Sequence, residues 1–461
     1  MLYDIFYKSL AILISFNFFI LAYFLKRLVG TNYHPAVIFS FSWGLFTLIP
    51  MVLIYPAPIN PFAILYILMC AISFAAATFI DSNRIAYVKF SSNSIARRKF
   101  LISLRSRFLV GMLFVSSILG VVLCFWIMLI NGWSLNDIFF DLLATSGRFA
   151  ALRGNEGMEY GFIGSIGVIF IYLSASLGGL IYSSIELKLP RFLVALMALV
   201  PSIMAMVIQS SKLIFLIAFS FFIGGIFLIN IYNLKPLRFN IKTISMLAKI
   251  FMMLVPFVLI SFISREHYLD LDDMYRTLEL LRYAMTSYAL GQIFAFSDFF
   301  SFYIGMDSVS RYNPDYFRMG AYTFSSIADI FGANINFPPG LYLETGWYSD
   351  IFETNIFTIF RGVILDFGIV GSFVAFAIMG LIANIVFSGI LKAKNNHLSN
   401  IAYIHIVVFV FMSYLVSVFM ARYMYANFIL LAAIFVVNGA LVKSNLSGSK
   451  LIGVRLVKPH A

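Results

Sequence analysis

Asp81-Ser-Asn-Arg84-Ile-Ala-Tyr-Val-Lys89-Phe-Ser-Ser-Asn-Ser-Ile-Ala-Arg97-Arg98-Lys99-Phe-Leu-Ile-Ser-Leu-Arg105-Ser-Arg107 runs straight into Phe108-Leu-Val-Gly-Met-Leu-Phe-Val-Ser-Ser-Ile-Leu-Gly-Val-Val-Leu-Cys124-Phe-Trp-Ile-Met-Leu-Ile130. The first part has seven basic residues and one acid; the second has no charge at all. A helix rises about 1.5 Å per residue, so the second part is long enough to cross a hydrocarbon core of about 30 Å. Lys and Arg clustered beside a span hold a loop on the cytoplasmic side. This junction predicts a helical membrane protein and predicts which way it faces.

The rest of the chain agrees with that start. Of its 461 residues 62% are hydrophobic and only 11% are charged, well outside the range of soluble domains. Eleven runs have spanning length: about 5–25, 36–55, 61–80, 108–130, 161–185, 192–208, 213–232, 247–264, 367–388, 401–420 and 425–442. Lipid offers the backbone no hydrogen bonds, and the alternating pattern of a barrel is missing, so the spans are expected to be helices. The run at 5–25 lacks a basic leader and a small-residue cleavage site, and is read as a span. Fixing 81–107 as cytoplasmic puts the N-terminus outside and the C-terminus inside. The basic pairs and tails at Lys26-Arg27, Lys188/Arg191, Lys235–Lys249, Lys392/Lys394 and Lys443–Lys458 then share the cytoplasmic side. Of the 20 acidic residues only Asp81 and Glu186 fall there.

The expected organisation is therefore an all-α polytopic membrane protein in three parts. Residues 1–264 hold spans one to eight, the basic loop 81–107 and an outer loop at 131–160. Residues 265–360 form a large outer loop, helical in part. Residues 361–461 hold the last three spans and a basic tail. Within the large loop, 284–304 is apolar enough to suggest another span. A crossing there would put the Lys-rich tail outside, so it is read as an interfacial or re-entrant helix with Gln292 and Asp298 on its wet side.

Several function classes are unsupported. The net charge of +12 is accounted for by cytoplasmic loops, so no nucleic-acid partner is expected. Cys70 and Cys124 lie in separate apolar runs, and the five histidines are scattered, so neither a disulfide framework nor a metal centre is expected. No cofactor motif stands out.

Polarity gathers instead on the outer face. Arg148, Arg153, Lys212, Arg265, Arg361 and Arg422 are cations expected near membrane level. Lys212 and Arg422 sit in turns of only a few residues, so their charges stay near the bilayer surface. Any one of them can be a snorkelling side chain. Six together on the face that basic residues otherwise avoid fit a polyanionic ligand at the interface, such as a lipid diphosphate. The densest polar stretch is Glu344-Thr-Gly-Trp-Tyr-Ser-Asp350-Ile-Phe-Glu353-Thr-Asn355-Ile-Phe-Thr-Ile-Phe-Arg361-Gly-Val-Ile-Leu-Asp366-Phe-Gly-Ile-Val-Gly371. If 353–388 is one helix, Glu353 and Arg361 share a face two turns apart, and Asn355 and Asp366 share a side about three turns apart. The plainer reading of Glu353 is a capping box with Asp350. His267, beside Glu266, is chemically suited to act as a base, though a lone surface histidine is commoner.

The run Asn355-Ile-Phe-Thr358-Ile-Phe-Arg361 followed by Asp366-Phe-Gly368-Ile-Val-Gly371 resembles the bacterial O-antigen polymerases and, more broadly, the oligosaccharide repeat-unit polymerases. Eleven or so spans and two enlarged outer loops fit the same resemblance, as does the spacing from Arg153 to Gly164. The related O-antigen ligases have a His before the Asn; here Thr354 stands there. The resemblance implies a GT-C-like membrane glycosyltransferase in the bacterial inner membrane, with its active site facing the periplasm. Donor and acceptor would be undecaprenyl-diphosphate-linked oligosaccharides, with no metal and no cofactor. It leaves open whether a polysaccharide chain-length regulator binds. It points to Arg153, Lys212, Arg361 and Arg422 for the diphosphates, and to Glu353, then His267 or Glu344, as base. A lipid-glycan flippase and the ligase are the alternatives; the flippase would need charges within the spans, which are almost free of them.

Overall fold

The computed structural model describes residues 2–104, 106–154, 161–183, 190–236, 255–264, 274–306, 312, 320–330, 342, 344–348, 351–392 and 397–451. Nine helices among them are long and apolar enough to cross a membrane. In chain order, the N-terminal part holds α1 (Leu2–Val29), α2 (Pro35–Leu53), α3 (Pro61–Ile80), the short α4 (Arg84–Ser92) and α5 (Ser94–Ser103), and α6 (Arg107–Ile130). Then come α7 (Leu135–Phe140), α8 (Leu142–Gly154), α9 (Gly161–Tyr182), α10 (Arg191–Ile208), α11 (Lys212–Tyr232) and α12 (Val255–Ser264). The last third holds α13 (Met274–Leu290), α14 (Gln292–Tyr303), α15 (Ala321–Ile330), β1 (Gly346–Tyr348), β2 (Phe352–Thr354), α16 (Ile359–Leu391), α17 (His397–Met412) and α18 (Arg422–Leu451). The nine long apolar helices are α1, α2, α3, α6, α9, α10, α11, α16 and the part of α18 from Arg422 to Val442. Of the other two expected spans, 401–420 is the shorter α17 followed by irregular chain, and of 247–264 only 255–264, α12, lies among the described residues.

Local chemistry explains where the spans begin. Both α2 and α3 open on an extended residue followed by proline, which is pre-set for the first helical position. The caps are His34, whose Nδ1 accepts from Ala36 N at 3.3 Å, and Asn60, whose Oδ1 accepts from Phe62 N at 2.9 Å. At the far end of α2 the free carbonyls are answered by a buried lysine. Lys8 Nζ donates to Ile54 O at 3.1 Å and Ala57 O at 2.6 Å, and lies 4.6 Å from the Phe294 ring. Both cysteines are shut inside helix packing: Cys70 is 0% and Cys124 1% exposed.

Packing sorts the helices into two groups. In one, α9 lies against α6, α10 and α11; in the other, α16 lies against α3, and α1 against α2 and α3. α17 joins them through α11, α16 and α2. One end of the bundle is pinned by a buried amide. Asn384 Oδ1 accepts from Asn83 Nδ2 at 2.9 Å and lies 3.0 Å from His34 Nε2, while its Nδ2 donates to Asp81 O at 3.1 Å.

Three expectations change. Residues 353–388 are not one helix: Glu353 lies on β2, and helix begins only at Ile359. Glu353 and Arg361 therefore share no helix face, and neither do Asn355 and Asp366. Nor does Glu353 serve in a helix-capping box; Asp350 lies outside the described residues. The stretch 284–304 is two helices broken at Gly291, and Gln292 is 0% exposed with its amide donating to Tyr288 O, not on a wet side. Helix is displaced at 346–354 by a small antiparallel ladder pairing Gly346 with Thr354, Trp347 with Glu353 and Tyr348 with Phe352. Its two inward rings, Tyr348 and Phe352, stack 4.6 Å apart and meet Phe294 of α14.

α16 is itself interrupted. Gly368 adopts φ 69°, ψ −178°, a region open essentially only to glycine, so the helix is two pieces. Gly368→Ala is expected to lower stability by about 1–3 kcal/mol, read as a fall in the thermal midpoint of the detergent-purified protein. A neutral result would mean the break does not depend on that backbone conformation.

Candidate functional site

Arg361 lies in the first turn of α16 and is 1% exposed. A guanidinium cannot be buried cheaply without an answering charge. Here Nη2 meets Glu344 Oε2 at 2.9 Å, with Glu344 12% exposed. Four rings surround the cation: Tyr342 at 3.8 Å, Phe357 at 4.0 Å, Phe299 at 4.9 Å and Tyr312 at 5.2 Å from the guanidinium carbon. These distances suit attraction between a cation and a ring face. The box is built from four separate places in the chain: α14, residue 312, residue 342, and the segment between β2 and α16.

The box is not fully satisfied. Arg361 Nε and Nη1 and Glu344 Oε1 are buried without a hydrogen-bond partner among the described residues, as is Thr358 Oγ1. A cavity of about 10 Å³, close to the room one water needs, adjoins the box and is lined in part by Tyr342, Phe357, Thr358 and Ser417. The pair therefore holds spare donors and a spare acceptor side by side. Burial pushes the Tyr342 phenol above its usual range, with the Arg361 cation pulling the other way. Tyr342 accordingly remains protonated near neutral pH.

Asp366 supports the box from behind. It is 0% exposed, and its carboxylate accepts from Tyr322 N at 2.9 Å and Thr323 N at 2.6 Å, the free amides at the start of α15. An acid at a helix N-terminus answers both the orphan donors and the dipole. Tyr322 so held stacks on Tyr342, ring centres 6.0 Å apart and planes 13° from parallel. Gly362 makes room: a Cβ there would sit 3.2 Å from Tyr322 Cβ and 3.4 Å from the Tyr342 hydroxyl. The far side of α15 is tied down by Ser417 Oγ donating to Thr323 O at 3.1 Å and by Ser326 Oγ donating to Met420 O.

Of the residues singled out from sequence, the structure brings Arg361 and Glu344 together. Glu353 is half-buried on β2, opposite Trp347, and Asn355 is exposed. Lys212, half-buried at the start of α11, donates to Ser261 O at 3.2 Å and lies 4.1 Å from the Phe262 ring and 5.1 Å from that of Tyr288. That places it among α12 and α13 rather than in the Arg361 box. Arg148 is exposed on α8; the Ser134 hydroxyl and backbone amide, and to a smaller extent Arg148, hold the Asp137 carboxyl below the usual carboxylate range. Arg422 is exposed at the start of α18. Arg153 lies on α8 with its side chain outside the description, and Arg265 and His267 fall outside the described residues. Among the described residues, no group of three or more His, Cys, Asp or Glu side chains could hold a metal. The rings of Phe299, Tyr312 and Phe357 were not singled out, because one aromatic among 18% has no local signal.

Compared with protein-family models, curated proteins and solved structures, the chain matches none.

Arg361→Met is expected to destabilise the protein by about 3 kcal/mol, because it strands the Glu344 carboxylate. Arg361→Met combined with Glu344→Leu should lose less than Arg361→Met alone. Thermal unfolding of the single and double variants in detergent measures the coupling; additive losses would mean the pair is not coupled.

Proposed function

We propose that the chain is a glycosyltransferase of the O-antigen polymerase kind. It joins undecaprenyl-diphosphate-linked oligosaccharide repeat units at the periplasmic face of the bacterial inner membrane and releases undecaprenyl diphosphate. The observation that carries this reading is the Arg361–Glu344 pair, whose Nε, Nη1 and Oε1 have no hydrogen-bond partner among the described residues and lie at the start of a long apolar helix. A polyprenyl diphosphate is the class of ligand such a cation would bind, tail in lipid and head against the guanidinium. The adjoining cavity holds about one water, so the rings open to admit the head. The resemblance of residues 355–371 to the polymerases supports the same class.

The reaction follows from these groups. The acceptor's sugar hydroxyl attacks the donor's anomeric carbon, forming the new glycosidic C–O bond. The bond from that carbon to the diphosphate oxygen breaks, and its electron pair leaves with undecaprenyl diphosphate. Arg361 stabilises the charge that develops on the leaving oxygens; a planar fork of donors suits phosphate better than a point charge. Glu344 takes the hydroxyl proton. The ion pair makes these two roles successive. While Arg361 holds Glu344, its Oε2 is occupied by the guanidinium; a diphosphate that captures the guanidinium leaves that oxygen open to the acceptor hydroxyl. The aromatic walls keep water from competing for the anomeric carbon.

The test is the glycan profile of a host lacking the gene and complemented with variants. Loss of the long ladder with survival of a single-repeat band supports the polymerase. Lipid-linked polymer left untransferred points to a ligase, and repeat units held in the cytoplasmic leaflet to a flippase. Glu344→Gln is expected to cut polymerisation by about 10²–10⁴-fold, the usual worth of a general base. Arg361→Lys should also lose the ladder, since it keeps charge without the fork. A full ladder from either variant at normal expression would move the site elsewhere.

A further inference from the structure

A second cavity lies at the opposite end of α16 from Arg361. A groove of about 610 Å³ opens between the C-terminal ends of α3 and α16. That is within the range of about 300–1,000 Å³ typical of small-ligand pockets. Its walls are apolar and open: Ile80 is 90%, Leu381 49% and Ile385 61% exposed. On helices of spanning length, such side chains face lipid.

The mouth of the groove carries two opposite charges. Lys392 ends α16 and Asp81 ends α3; both are exposed, and both line the groove. Lys392 suits its position, because a cation is favoured at a helix C-terminus. Asp81 does not: its Oδ1 accepts from Asn83 N at 3.1 Å, but a neutral amide leaves the carboxylate's charge at the negative end of the helix dipole, where a cation would be favourable. The polar floor does not compete for a ligand. The Asn384 side chain is committed to Asn83, His34 and the Asp81 carbonyl.

We propose that this groove is a binding site for a zwitterionic phospholipid with a primary amine, a phosphatidylethanolamine. One acyl chain lies between α3 and α16, the phosphate meets Lys392, and the ammonium donates to Asp81. A lipid with net negative charge is opposed by Asp81. A choline headgroup has the right charges but no N–H to give the carboxylate. The site lies apart from Arg361 and Glu344 and does not depend on the glycosyltransferase reading.

The experiment is native mass spectrometry of the full chain, purified in detergent and offered equal amounts of phosphatidylethanolamine, phosphatidylcholine and phosphatidylglycerol. Phosphatidylethanolamine should be retained above both others. Asp81→Asn should erase its preference over phosphatidylcholine, a change of up to about fivefold for one exposed charge contact. Lys392→Gln should weaken retention of both zwitterionic lipids. Ala377→Trp, which fills the groove, should abolish it. If Ala377→Trp fails to fold, the two exposed substitutions decide, checked by an unchanged elution volume. Equal retention of the three lipids, strongest retention of phosphatidylglycerol, or a preference untouched by Asp81→Asn would overturn the proposal.

Discussion

A guanidinium closed off from water must be answered by what surrounds it, and at Arg361 that requirement organises the polar part of the molecule. Glu344 supplies the opposite charge, and rings from four separated segments supply the walls. Each segment is thereby fixed relative to the start of α16. The constraint then passes outward: Tyr342 stacks on Tyr322, and the backbone of Tyr322 hangs from Asp366. One buried cation and one buried anion, five residues apart, thus hold Tyr312, Tyr342 and the start of α15 against the head of α16.

The second constraint is the backbone itself. Within an apolar bundle every break in a helix leaves amides and carbonyls that water cannot reach. The chain breaks at Gly368 and again between Met412 and Arg422, and in the second case side chains and neighbouring backbone take over. Ile359 N donates to Ser413 O at 3.0 Å, Trp43 Nε1 donates to Ser413 Oγ at 3.1 Å, and Ser417 reaches α15. Irregular backbone at this depth is tolerated only where it is enclosed by protein or lines a cavity. Both breaks flank the Arg361 box, which is a physical reason to regard that box as more than packing.

The helical membrane class was legible because it rests on composition and run length, which need no tertiary information. Nine of the expected spans are long helices here for that reason. The run at 401–420 reads as one span because a hydropathy count cannot see that Ser413 and Ser417 turn the chain by bonding to distant partners. The stretch 344–371 stood out by its density of polar residues, and it contains both Arg361 and Glu344, which meet in the structure. The pairing itself was not legible: helical periodicity suggested Glu353, but β-branched and aromatic residues around it form a hairpin instead, and the acid that meets Arg361 lies 17 positions upstream in an extended segment. Contacts between segments so far apart leave no mark at any fixed spacing.

Cys70 and Cys124 are each sealed within helix packing, a detail that concerns neither stability nor chemistry. It makes the natural chain silent to thiol-reactive probes that cannot enter the bundle. A cysteine introduced into the 81–107 loop, or beside Arg148 or Arg422, would then be the sole label on the molecule. With an impermeant maleimide, the side of the membrane on which each loop lies becomes a direct observation, with no native residue replaced first.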